Sequence, residues 1–136
     1  MLIPSKVKHR KWHKGRARNI RTASDKVEIA FGSYGLKALT PSWVSSQQIE
    51  AARRVLTRYI KKGGKIWIRI FPDHPVTSHG SENSMGSGKG AVDHYVAVVR
   101  AGTVLFEMDG IPPEAAKEAL EGAGYKLGSV CKYIAK

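Results

Sequence analysis

The sequence predicts a single α+β domain with a mostly antiparallel sheet and two helices on one side. Three features predict it. Several short runs alternate apolar and polar residues with the period of a strand. Two stretches carry apolar residues at the spacing of one helix face. Tight turns, rather than regular strand–helix–strand crossovers, join the strand-like runs.

Taken in order, residues 1–22 read as an arm, and residues 23–136 as the domain. Val27 to Leu39 alternates apolar and polar but is broken by Gly32 and Gly35, which predicts a bent strand or a strand–turn–strand. Thr40-Pro41-Ser42 punctuates the chain. Ser45 to Lys62 is the strongest helix: Ser45 and Gln48 have capping-box spacing. Ile49, Ala52, Leu56, Tyr59 and Ile60 form its apolar face, with Arg54, Arg58, Lys61 and Lys62 opposite. Gly63-Gly64 stops it. Lys65 to Phe71 has strand period. Ile66, Ile68 and Ile70 point one way, and Lys65, Trp67, Arg69 and Phe71 the other. Aromatic rings between cations suit RNA, but a covering helix would make Trp67 and Phe71 core residues, which is the preferred reading. Asp73 to Ala91 is expected to be a long glycine-rich loop. Val92 to Arg100 and Thr103 to Met108 are strands, and Ala101-Gly102 between them predicts a hairpin turn. Pro112-Pro113 opens a second helix, which Gly122 and Gly124 end. Ser129 to Ile134 is a last short strand.

The chain has 136 residues and a formal net charge of +12, with a pI near 10.0. This favours polyanionic partners and salt-sensitive association. The charge is concentrated. Lys6, Lys8, Arg10, Lys11, Lys14, Arg16, Arg18 and Arg21 all precede the first acid, Asp25. Apolar residues are too sparse there to offset the entropy of ordering, so the arm is expected to order on a polyanion. Its arginines suit bidentate phosphate contact, and the interleaved Trp12, His9 and His13 can stack on unpaired bases. The cationic face of the first helix extends the same surface.

Other chemistry finds little support. A lone Cys131 offers neither a disulfide framework nor a cysteine zinc site, and suits a reducing compartment. The spacing of His9 and His13 could hold a metal on a helix, but the surrounding positive charge opposes a cation; no metal and no cofactor is expected. The longest apolar run, Tyr95 to Val99, is far too short to span a membrane, and no secretory signal is apparent. Gly86, Gly88 and Ala91 formally match a dinucleotide-binding pattern, but a strand follows where a helix is required. The P-loop pattern fails at Asn83 and Gly90. What remains is a flexible loop, Met85-Gly86-Ser87-Gly88-Lys89-Gly90, whose backbone N–H groups can approach phosphate. Asp93 and His94 are expected to point to opposite faces, and Glu107 and Asp109 flank a strand end with no evident partner. An RNA-processing or RNA-modifying enzyme using His94 and Glu107 is the alternative function. A cationic membrane-surface protein is a third, opposed by an arm with no apolar face.

These motifs together resemble the bacterial-type large-subunit ribosomal protein sixteen family. The resemblance is carried by Lys11, His13, Lys14, Gly15 and Arg16, by Phe31-Gly32-Ser33-Tyr34-Gly35-Leu36-Lys37-Ala38, and by Gln48-Ile49-Glu50-Ala51-Ala52-Arg53-Arg54. It continues in Gly64 to Asp73, the Met85 to Gly90 loop, and Leu105-Phe106-Glu107-Met108-Asp109-Gly110. It implies an α/β sandwich with a hammerhead-like sheet arrangement. It also implies a structural, non-enzymatic protein of the large ribosomal subunit that has no small-molecule substrate. The implied partners are large-subunit rRNA, tRNA and neighbouring ribosomal proteins, in the bacterial cytoplasm or an organelle matrix. The arm and basic helix would contact rRNA, and the glycine-rich loop would face tRNA near the peptidyl-transferase centre. Ser84 stands where family members often carry arginine, and Ser87 where lysine is usual. The loop is therefore left with Lys89 and its backbone donors.

Overall fold

A computed structural model describes residues 1–15, 21–60 and 62–136. Nine elements follow in chain order: β1 (Tyr34–Ala38), β2 (Ser42–Ser45), α1 (Ser46–Tyr59), β3 (Lys65–Ile68), β4 (His74–Ser78), β5 (Ala91–Val99), β6 (Val104–Asp109), α2 (Pro113–Gly124) and β7 (Cys131–Ala135). The fold is α+β, as expected, but the strands divide between two antiparallel sheets. One has the order β3-β6-β1-β7 and the other β2-β5-β4.

The helices form where their caps and apolar stripes require. The Ser45 side chain accepts from the Gln48 N–H at 3.3 Å, and the Gln48 side chain accepts from the Ser45 N–H at 3.0 Å. Ile49, Ala52 and Leu56 of α1 are buried, as are Ala116, Ala119, Leu120 and Ala123 of α2. The helices lie side by side, with Gly122 letting α2 approach Val55 and the Tyr59 hydroxyl 3.3 Å from Glu118. Together they cover one face of the four-stranded sheet, where Leu36, Phe106 and Met108 complete the core.

Several expectations change. The residues before Tyr34 are irregular, so the first strand is shorter than the alternation suggests. Strands β2 and β4 fall where punctuation and a long loop were expected. Both are edge strands. An edge tolerates proline because one side of the strand needs no ladder donor, so Pro41 can precede β2 and Pro75 can lie within β4 without breaking a sheet. The loop proper is residues 79–90, closed at its base by the pairing of Ser78 with Ala91. The turn at Ala101-Gly102 does not make a hairpin, because β5 and β6 belong to different sheets. Its amides bond instead across the end of β1, with Gly102 N–H donating to the Ala38 carbonyl at 2.6 Å and Ala38 N–H to Thr103 at 2.8 Å. Strand β6 is buried almost throughout: it lies between β3 and β1, with the helices over one face and the chain before β1 over the other. Phe71 is not a core residue: it is 44% exposed. Trp67 is half-buried, against a segment of irregular chain rather than a helix.

Candidate nucleic-acid interface

Residues 1–15 contain no helix or strand, yet they are not detached from the body. Leu2 packs against the core. Trp12 meets His74, the first residue of β4, edge-on at 5.4 Å and 84°. His74 is only 6% exposed, and its ring also meets Trp43 of β2, at 5.0 Å. Three segments distant in sequence thus meet at one imidazole. Sequence reasoning missed this joint, because nothing local marks His74 or Trp43 as partners of the arm. An arm expected to order only on a polyanion has these contacts on the protein itself.

From that joint the arm reaches the glycine-rich loop. Lys11 Nζ donates to the Lys89 carbonyl at 3.0 Å, and Lys89 Nζ donates in return to the Trp12 carbonyl. Carbonyls carry no net charge, and among the described residues neither ammonium forms an ion pair with a carboxylate. An open cleft of about 440 Å³ is lined by His9, Lys11, Trp12, His13 and Lys89, with no acid among them. The loop presents its backbone: Gly86, Ser87 and Gly88 have φ of +139°, +62° and +94°. Gly86 and Gly88 occupy this region without strain, Ser87 does so less readily, and all three residues are exposed. Met85 at the tip is 99% exposed.

The remaining sequence-predicted cations are distributed as follows. Lys6, Lys8, Arg10, Lys14 and Arg21 are exposed. Arg54, Arg58 and Lys62 are exposed at α1 and its C-terminal end, and the contacts joining arm to loop do not include them. Arg16, Arg18 and Lys61 lie outside the described residues. Arg53 is engaged internally by Glu50, at 2.6 and 3.0 Å. Its hydrogen bonds hold the Glu50 carboxyl at about 2, so this acid remains charged at every ordinary pH.

The residues of the enzyme alternative are not arranged for catalysis. Glu107 is fully buried and its oxygens are occupied. They accept from the N–H groups of Ala30 (2.9 Å), Phe31 (2.7 Å) and Gly32 (2.9 Å), and from the Arg69 guanidinium. Burial pushes its carboxyl up, but the three backbone donors and Arg69 outweigh that and hold it below the usual carboxylate range. Contrary to expectation, Glu107 thus has partners; the signal was a lone acid in the apolar run Leu105 to Met108, which must be paired if buried. Asp93 and His94 do not diverge either: they hydrogen-bond at 2.7 Å on the surface. A register shift pairs Val76 with His94 and Thr77 with Val92, leaving Asp93 as a bulge that interrupts the strand alternation. Burial pushes the Cys131 thiol up, away from nucleophilic use. Among the described residues no group of His, Cys, Asp and Glu is placed to hold a metal. No described helix is long and apolar enough to cross a membrane.

Comparison with known proteins agrees with this non-catalytic cationic surface. The family model described as "Ribosomal protein L16p/L10e" matches residues 4–134. A protein of Phaeodactylum tricornutum named "Large ribosomal subunit protein uL16c" is 55% identical over 136 residues, covering 100% of this chain and 97% of its own. Proteins of the same name from Trieres chinensis and Cyanidium caldarium are 54% and 52% identical, covering 98% and 94% of their own lengths. With matches of this extent, the chain belongs to the L16p/L10e family of ribosomal proteins, whose members are structural components and not enzymes.

Proposed function

We propose that this protein binds large-subunit rRNA through its cationic arm and the exposed basic face of α1, and turns the residue 79–90 loop toward tRNA. In this reading residues 1–22 are the RNA-binding arm and residues 23–136 the body that aims it. The protein works on the ribosome, in a bacterial cytoplasm or an organelle matrix, and supports assembly of the large subunit beside neighbouring ribosomal proteins. The observation that carries the reading is the cleft between arm and loop, where Lys11, Lys89, His9 and His13 converge with no acid. Such a cleft is electrostatically incomplete until a polyanion fills it. The enclosed state of Glu107 argues against the RNA-processing alternative, since the carboxylate has no free path to a substrate.

The test is salt dependence. Each phosphate neutralised steepens the log–log slope of affinity against salt by roughly 0.7 to 0.9. Deleting residues 1–22 is expected to flatten the slope for rRNA binding by several such units. A slope equal to that of the full chain would remove the arm from the interface.

A further inference from the structure

Phe31 is a large apolar side chain held in solvent by unusually firm means. The chain from Glu28 to Ser33 crosses the face of the four-stranded sheet that the helices leave open. Glu107 projects from β6 on that face and anchors three consecutive amides, those of Ala30, Phe31 and Gly32. Gly32 presses the crossing down. A Cβ there would stand 2.5 Å from the Met108 carbonyl oxygen and 3.1 Å from the Trp67 ring, so only glycine allows the approach. The residue between these anchors cannot turn inward. Phe31 is 61% exposed.

Its ring is nonetheless oriented. It lies nearly parallel to Trp67, with centroids 6.2 Å apart and 19° between planes, and the Arg69 guanidinium carbon is 5.2 Å from its centroid. Trp67 and Arg69 are two residues apart on one extended segment, so both lie on the same face of the sheet, beneath the crossing chain. Both therefore meet the ring from the sheet side, Trp67 with a lateral offset, and the side away from the sheet is the one a ligand can approach. Arg69 is fixed by its ion pair with Glu107 and by a 3.4 Å hydrogen bond to the Glu28 carbonyl. The platform is thus built before any ligand arrives.

We propose that Phe31, backed by Trp67 and Arg69, is a stacking platform for one unpaired base of ribosomal RNA. The inference rests on the rRNA-binding reading above and adds a contact of a different physical kind. Stacking on an aromatic ring accepts any base. A preorganised ring loses little entropy when the base arrives. A protein partner fits less well. Protein interfaces centre on an apolar patch with a desolvated surround, whereas this single ring has Lys65 on the same strand face and Arg69 beneath it. A planar π-system carrying phosphate matches both features. Because Glu107 already neutralises Arg69, the stacked base is expected to contribute affinity with little salt dependence, unlike the arm.

The test measures rRNA binding by the full-length protein across a range of salt concentrations, together with chemical probing of unpaired bases in the complex. Phe31→Leu keeps an apolar side chain and removes the π-face. It is expected to weaken binding roughly 5- to 150-fold, the range typical of one lost stack, with the salt slope unchanged. One base should gain reactivity to the probe. Phe31→Tyr is expected to bind as the unaltered chain does. Equal binding by Phe31→Leu, with no base newly reactive, would overturn the platform while leaving the arm's role intact. Loss through a steeper or flatter salt slope would likewise overturn it, by making the contact ionic. Failure of the unaltered chain to bind rRNA at all would overturn both readings.

Discussion

Arg69 forms its ion pair with a carboxylate, that of Glu107, which has no solvent exposure. The pair ties the end of β3 to β6, and the remaining lone pairs of the same carboxylate hold the chain before β1 against the sheet. A buried charge satisfied by one guanidinium and three amides stabilises the fold only while every partner is present.

Replacing Glu107 with Gln is therefore expected to destabilise the protein by roughly 3–5 kcal/mol, since Arg69 is left as an uncompensated, largely buried cation. The effect should depend on pH. The carboxyl is held below its ordinary value of 4.5 in the folded protein. Its stabilisation is then fully present above the unfolded value and declines as pH falls through the folded one. Denaturant melts at neutral pH and at successively lower pH beneath the ordinary carboxylate value are expected to show the two proteins converging in acid. A constant gap between them would mean that the carboxylate charge contributes nothing.

Trp12 is expected to govern the arm's docking and not the body's stability. Its edge-on contact with His74 joins an irregular segment to a sheet edge, so Trp12→Ala should change unfolding free energy by about 1 kcal/mol or less. It should, however, accelerate tryptic cleavage after Lys8, Arg10 and Lys11 in the free protein. Cleavage at the rate of the unaltered chain would show that the ring contact does not restrain the arm.

Lys89 is the loop's one basic side chain in residues 79–90 apart from His79, and it donates to the Trp12 carbonyl. Lys89→Ala is expected to leave incorporation into the subunit near normal while weakening tRNA binding. The salt slope for tRNA should fall by roughly 0.7 to 0.9, one phosphate contact. Unimpaired tRNA binding by subunits carrying the variant would remove Lys89 from that contact.

The elements that were legible in the sequence are those whose signals are local. Ser45 and Gln48 mark the start of α1 because a capping box is complete within four residues. Pro113 opens α2 because a first-turn proline forfeits no helical hydrogen bond. The short apolar run within Thr103 to Met108 marks a strand wherever that strand is placed. By contrast, Pro41 and Pro75 obscured β2 and β4, because whether proline breaks a strand depends on whether the strand lies at an edge.

The cationic character of the chain and the starts of the two helices follow from composition and spacing, which every residue carries into any fold, whereas α1 ends at Tyr59 and not at the expected Lys62. The division of the strands between two sheets was decided only by the folded chain, as were the meeting of Trp12, His74 and Trp43 and the gathering of three amides and Arg69 around Glu107. Each of these joins residues far apart in sequence, and their energies exist only once the core has brought the partners together. A lone acid or a lone histidine specifies that a partner is needed; the tertiary packing selects which one.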